Sequence, residues 1–527
     1  MAENSRRPAL RRSRLRTGML LAFAILPLAA AAAACGGSSG GSGTAATPST
    51  LTIGLNNAPV SLNPALDTTE SYMTVRPLTN AALIHENQNG TFSPELATSW
   101  GYVGSGEKTF QFTLRHNARF SDGTLVTAAA YKTWLTYYNK VDGGLTFVNF
   151  GTHPISSITT SGKWTVVIHM SFANPGVVWA LSDANNTAAI ESPELVAHPS
   201  EMSTETDGAG PYVLDVSESA AGSVYTYVPN KYYYDKSAIR FKKIVAKVIT
   251  TPSTMLDAVR TGQVQFAYGD ATTAKSAAGV SGVTVEAAPT QAYVLNLDNG
   301  GTISSPLANV KVRQALNYAI NRKALAAGLT LGYGGPWSEP VSSNGLVTSL
   351  EHAYPYDLAK AKSLMAAAGY AKGFTVSALG EEGTQTTMEA VAQQLKAINV
   401  TLNLSFPSSS AQWDSEIEAN KSYGITLAGM NFSRNAYENY FTYFAPQSFY
   451  DITTSWSDPV MQGLAAQGAA SSSASAWQQI TSRVVAQAYM APMYTTDAIY
   501  YVSKHLQGVD PTDVKEYPNA LDWTWSS

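Results

Sequence analysis

Met388-Glu-Ala-Val-Ala-Gln-Gln-Leu-Lys-Ala-Ile-Asn-Val-Thr-Leu-Asn-Leu-Ser-Phe406 changes its period half-way along. Met388, Val391, Leu395 and Ile398 recur at three- and four-residue spacing, the apolar stripe of a helix with one buried face. From Val400 the apolar residues occupy alternate positions (Val400, Leu402, Leu404, Phe406), the period of a strand. A helix feeding directly into a strand is the repeating part of an open α/β sheet, so the stretch predicts an α/β fold.

Working outward, the same alternation recurs. Asp357 reads as the cap of a helix with Leu358, Ala361, Leu364, Met365 and Ala368 turned inward and Gly369 at its end. Residues Val310 to Ala326 have helical spacing, with Val312, Ala315, Leu316, Ala319 and Ile320 on one face. Pro252 and Ser253 open a short helix that Gly262 closes, and Val264-Gln-Phe-Ala-Tyr268 follows as a strand. Nearer the start, Thr109-Phe-Gln-Phe-Thr-Leu-Arg115 alternates apolar with polar, Asp122-Gly123 makes a turn, and Thr127 caps a helix running to Tyr138. Leu51-Thr-Ile-Gly-Leu55 reads as the opening strand. At 527 residues the chain is long enough for two or three domains.

Residues 1–34 have a different character. Six arginines between Arg6 and Arg16 precede the apolar run Met19-Leu-Leu-Ala-Phe-Ala-Ile-Leu-Pro-Leu-Ala-Ala30, and small residues follow to Ala34. That is the anatomy of a secretory signal, and the run is short for a bilayer span. Removing it takes the net charge from −4 to −9, which leaves no electrostatic footprint for nucleic acid. The single cysteine, Cys35, excludes an internal disulfide and a cysteine-rich metal site. It stands between the leader and the Gly/Ser stretch 36–50. This junction resembles a bacterial lipobox, with Ala32 where leucine is usual. The resemblance implies a signal peptide over 1–35, a lipid on Cys35 and a flexible tether over 36–50.

The body resembles a known family in several stretches that occur in order. These are Leu62-Asn63-Pro64, Pro94-Glu95-Leu96-Ala97-Thr98-Ser99-Trp100, Phe110 to Gly123, Gly208-Ala209-Gly210-Pro211-Tyr212, Asn230-Lys231-Tyr232-Tyr233, Val312 to Arg322, and Tyr356-Asp357 to Gly369-Tyr370. Together they resemble the family 5 extracellular solute-binding proteins, the dipeptide, oligopeptide and nickel receptors of ABC importers. The resemblance implies a two-lobed, periplasmic-binding-protein-like fold of type II, cluster C-like, with hinge closure on a ligand. By analogy lobe one comprises 51–95, 205–288 and 495–527, an inserted subdomain covers 96–204, and lobe two covers 289–494. The segments Gln291–Asn296 and Ala491–Thr496 would make the crossings. The implied partners are a peptide-like or other small solute and ABC permease subunits, with the chain a monomer on the extracytoplasmic face of the membrane and no cofactor.

The family buries its ligand in an aromatic-lined cavity, and the matching aromatics here are Tyr268, Tyr293, Phe432, Tyr437, Tyr440 and Tyr494. Each is equally at home in a core. Peptide-binding members carry an acidic "A-D-Y-x-D-P"-like segment that pairs with the peptide amine. Here the stretch reads Met430-Asn431-Phe432-Ser433-Arg434-Asn435-Ala436-Tyr437-Glu438, so a peptide held by its free amine is not the default unless Glu438 substitutes for the missing acid. Arg434 suits a carboxylate or phosphate, or stands in a surface loop. The seven histidines are dispersed with no metal-ligand spacing, so no protein-built metal site is expected. An extracellular hydrolase is the rival class. Its G-x-S-x-G, Gly36 to Gly40, lies in the tether without a strand before it or a helix after it, and Glu381-Glu382 reads as a solvated loop rather than an acid/base pair. A receptor or chaperone-like module that does not transport is a third reading.

Overall fold

A computed structural model describes residues 50–526 except 68, 88–90, 142–154, 172, 175, 184, 340–346, 382, 409, 418–421, 432–435, 446–455, 472–473 and 510–516. The leader, Cys35 and the tether therefore lie outside the described residues. Among the described residues no helix is long and apolar enough to cross a membrane.

The chain opens with β1 (Thr50–Leu55) and helix α1 (Glu70–Thr79). The hairpin β2 (Ile84–Glu86) and β3 (Phe92–Pro94) follows. A separate antiparallel sheet is then built from β4 (Ala97–Tyr102), β5 (Thr109–Leu114), β6 (Ile155–Ser161) and β7 (Thr165–Met170), in the order β4-β5-β7-β6. Helix α2 (Ala128–Val141) packs on it. The alternation read in β5 has its expected consequence: Phe110, Phe112 and Leu114 are buried and Gln111 and Thr113 are not. Thr127 accepts from Ala130 N, which satisfies one free donor at the start of α2.

Next come β8 (Tyr212–Leu214), β9 (Val224–Pro229), β10 (Lys243–Val248), β11 (Phe266–Tyr268) and β12 (Val283–Leu297). After them come β13 (Phe374–Leu379), β14 (Val400–Ser405), β15 (Ile425–Asn431) and β16 (Met490–Ser503). With β1 they form one ten-stranded sheet, ordered β14-β13-β15-β12-β16-β11-β1-β10-β9-β8. The helix Gln385–Leu395 and strand β14 occupy the stretch that decided the fold class, joined by one short turn and a left-handed Asn399.

The helix predicted over Val310 to Ala326 is two helices, Val310–Ala319 and Arg322–Leu329. Asn321 causes the break. Its side chain accepts from Ala324 N at 3.0 Å and so caps the second helix, while its own N–H donates to Gln394 Oε1 at 2.7 Å instead of continuing the first.

Strands β12 and β16 are long because they belong to both halves of the sheet. They pair antiparallel from Val283↔Ser503 to Asn296↔Met490. The register slips between Pro289 and Gln291, where proline has no N–H to give to the ladder, and again between Tyr293 and Val294. Strands β1, β10 and β11 run parallel to β12, whereas β13, β14 and β15 run the opposite way. The carboxyl ends of the two sets therefore point at each other. Tyr268 ends β11 level with Tyr500 and Glu286; Asn431 ends β15 level with Gln291. From Glu286 to Gln291 is roughly 17 Å of strand. Only the β12–β16 ribbon continues across that gap as sheet. The gap in the sheet lies just before the Gln291–Asn296 segment, because β15 already covers Gln291 onward.

Candidate ligand-binding site

Open α/β sheets take ligands in the crevice outside the carboxyl ends of their strands. Here two such edges face one gap. Burial marks the same place: β16 is buried from Met490 to Thr495 and from Ile499 to Val502, and half-buried only at Thr496, Asp497, Ala498 and its last residue. On β12, Ala287 and Pro289 are exposed. Alternation puts Tyr494, Thr496, Ala498 and Tyr500 on one face of β16 and Asp497 on the other.

Tyr293 and Tyr494 stand at the second-half end of this floor. They are cross-strand partners with rings stacked at 5.0 Å between centroids and 24° between planes. The Tyr494 hydroxyl lies 2.7 Å from Thr387 Oγ1, in the first turn of the Gln385–Leu395 helix. Burial pushes its phenol up to about 12, so it stays a neutral hydroxyl at physiological pH. Burial also raises Tyr293, and the Glu381 charge adds to the shift. Glu381 follows the end of β13 and is half-buried, a different setting from the solvated loop read in the sequence. Behind Tyr494, the segment Tyr333–Trp337 runs along the free edge of β16. Thr495 N donates to Gly335 O at 2.8 Å and Trp337 N to Met493 O at 3.1 Å. Gly334 permits this approach. Its φ is 143°, and a Cβ there would lie 2.0 Å from Thr495 O.

At the first-half end stands Glu70, which sequence reading passed over. It opens α1, and Tyr268 Oη donates to its main-chain oxygen at 3.0 Å. Its side chain is exposed to solvent yet closely surrounded by protein. Desolvation raises its carboxyl, and the Asn56 side chain just past β1 pulls it back down. Nothing in a single glutamate before a helix reveals this; the signal is the convergence of α1, β1 and β11.

The other sequence-selected residues fall as follows. Tyr268 is 6% exposed, packed edge-on against Phe266 and Tyr500, with its hydroxyl engaged by Glu70 O and Thr74. It is six residues along β16 from Tyr494, roughly 20 Å, and belongs to the first-half core rather than to the tyrosine pair. Tyr440 is buried in the helix Ala436–Tyr443. Asn431 is the last residue of β15, at the crevice edge, and Tyr437 lies in the first turn of that helix. Phe432 and Arg434 lie outside the described residues.

A model of the bacterial extracellular solute-binding proteins, family 5 middle region, matches residues 91–450. The chain belongs to that family. The glutathione-binding protein GsiB of Salmonella typhimurium is 27% identical over 305 residues, which cover 57% of this chain and 58% of that protein. GsiB of Escherichia coli K12 is 27% identical over 302 residues, 55% of this chain and 57% of that one. The chain thus spans somewhat over half the length of the curated relatives it matches. Among solved structures, AgaA of A. tumefaciens R10 with agropinic acid superposes with a TM-score of 0.73 at 22% identity, covering 91% of this chain and 99% of that one. HbpA2 of Haemophilus parasuis superposes with a TM-score of 0.75 at 20% identity, covering 91% and 100%. The fold is that of the type II periplasmic binding proteins, as the resemblance implied.

Proposed function

We propose that this chain is the extracytoplasmic receptor of an ABC importer, and that it captures a small organic solute carrying a cationic amine in the crevice between the two strand edges. The reading is supported by the half-buried stretch of β16 where both edges end, with the stacked Tyr293 and Tyr494 at one end and Glu70, bonded through its main chain to Tyr268, at the other. Stacked tyrosines take the flat or apolar part of a ligand. Glu70 supplies the carboxylate in place of the acids at whose positions Asn431 and Asn435 stand, so the amine is held from the first lobe. Asn431, which ends β15, and Phe432, Arg434 and Tyr437, which come after it in the sequence, complete the proposed site as that edge closes; Arg434 takes the ligand's carboxylate. Tyr268 acts behind Glu70 by holding its main chain.

In this reading the lobes comprise 51–95 with 205–288 and 495–527, and 289–494. Residues 96–204, which contain the separate four-stranded sheet, form a subdomain inserted in the first lobe. The β12–β16 ribbon is the hinge, softened at Pro289. The protein acts as a monomer without catalysis, tethered by a lipid on Cys35 and docking on permease subunits. Replacement of Cys35 by serine releases it into the medium; undiminished membrane retention would refute the anchor.

The ligand class is tested by thermal shift and calorimetry with glutathione and Met-Leu, their N-acetylated forms, and agropinic acid as the probe without a cationic amine, chosen from the ligands named for its relatives and structural neighbours. An amine-bearing member raises the unfolding midpoint, acetylation removes the shift, and Glu70→Gln weakens binding about tenfold, the loss of one charge-assisted contact. Binding that ignores both acetylation and Glu70→Gln overturns the assignment of the amine.

A further inference from the structure

His85, Glu95 and Asp183 converge, although 88 residues separate Glu95 from Asp183. One ligand atom from each lies within 4.8 Å of the others, and His85 Nδ1 is 2.9 Å from Asp183 Oδ2. We propose that these three side chains bind a divalent first-row transition ion of the Zn²⁺ type, a site distinct from the ligand crevice.

The backbone brings them together by three separate devices. His85 is the central residue of β2, paired with Ser93 of β3. Glu95 comes immediately after β3, and its Oε1 accepts from Ala82 N at 3.0 Å. Asp183 is delivered by a parallel bridge between Ile84 and Ser182, and its N–H donates to Ile84 O at 2.9 Å. Its Oδ1 accepts from Glu86 N at 2.9 Å, which turns Oδ2 toward His85. Backbone donors that orient ligating carboxylates are the outer support of metal sites.

Size and charge agree with the assignment. Ligands about 2.1 Å from a zinc ion stand roughly 3.0–3.5 Å apart, a span these side chains reach by small rotations. One imidazole with two carboxylates suits zinc. With the imidazole neutral, the trio carries two negative charges that a divalent ion cancels. A histidine–aspartate ion pair needs only two of these residues. The third carboxylate adds a further ligand and further negative charge, part of which the buried Arg76 guanidinium offsets. The nearby guanidiniums also serve the main chain: Arg76 donates to Asp183 O and Arg115 Nε to Glu95 O. His85 is 33% exposed and Asp183 7%, so the site is open on one side and dry on the other. A bound ion would pin the β2–β3 hairpin to the Asp183 segment.

The test uses untagged protein, stripped with chelator and titrated with Zn²⁺ by calorimetry, with Co²⁺ as a spectroscopic stand-in. One equivalent binds at micromolar concentration, Co²⁺ develops visible ligand-field absorption, and Zn²⁺ raises the unfolding midpoint. Asp183→Asn and Glu95→Gln each weaken binding at least about tenfold. His85→Asn, at the half-exposed ligand, does the same with the fold intact by circular dichroism. His198→Asn, at an exposed His–Glu pair, changes nothing. Absence of stoichiometric uptake by the parent protein, or uptake that survives His85→Asn, overturns the site.

Discussion

In the first half of the large sheet, neutral phenols tie down several loops, beside the buried guanidinium of Arg76 on α1. Tyr72 donates to Leu62 O at 3.1 Å, Tyr212 to Phe241 O at 3.1 Å and Tyr268 to Glu70 O at 3.0 Å, from a core that also buries Phe266, Tyr500 and Trp523. In the second half the core is aliphatic, built from Leu295, Leu316, Ile320, Val391 and Leu395, and buried guanidiniums do the tying. Arg313 reaches the carbonyls of Leu307, Ala308, Gln487 and Ala488. Arg322 reaches those of Asn317, Trp337, Tyr354 and Pro492. A phenol has one proton to give and burying it costs little. A guanidinium holds several carbonyls at once but must be fully satisfied, and burial pulls Arg322 down to about 10, still charged at neutral pH. The tyrosines therefore act as many weak, independent ties and each arginine as one strong junction. The Arg322 junction includes Pro492 and Trp337, so it also supports the β16 strand that carries Tyr494.

That contrast can be broken most directly at Arg322. Arg322→Ala leaves four buried carbonyls without their donor and should cost about 3–5 kcal/mol in urea unfolding. A loss under about 1 kcal/mol would reduce the junction to an ordinary contact.

The first half should instead dominate the pH response through Glu191. This buried carboxyl accepts from Asn80 Nδ2 and Asp207 N, and burial still raises it from 4.5 to about 8. The folded chain then keeps a proton that the unfolded chain has lost throughout that window. Stability accordingly falls as pH rises from about 4.5 to about 8, by roughly 1 kcal/mol per unit. Urea midpoints at several pH values measure the slope, and Glu191→Gln should flatten it.

The smallest effect is expected at Tyr268→Phe, about 1 kcal/mol, because one neutral hydrogen-bond donor is lost and the ring remains. A cost equal to that of Arg322→Ala would erase the difference between the two halves.

Local elements were legible because their signals are short-range. The stripe of Met388, Val391, Leu395 and Ile398 lies on the buried face of its helix and turn. Asp357 caps the helix it was expected to cap, accepting from Lys360 N at 2.9 Å, and Gly369 takes a left-handed φ of 85°. Asn321 shows where such reading fails: apolar spacing continues through it, and only its hydrogen bonds to Ala324 and Gln394 break the helix.

The sequence by itself determined the α/β class and the family, since each is written in period or an ordered run of motifs. It also pointed to Tyr293 and Tyr494 but could not separate them from Tyr268, because an aromatic reads alike in a wall and in a core. Tertiary structure alone decided that two strand edges face one gap, that Glu70 joins Tyr268 at the end of β11, and that His85 meets Asp183. Strand direction, register and the approach of distant segments come from pairing across hundreds of residues, and no local period encodes them.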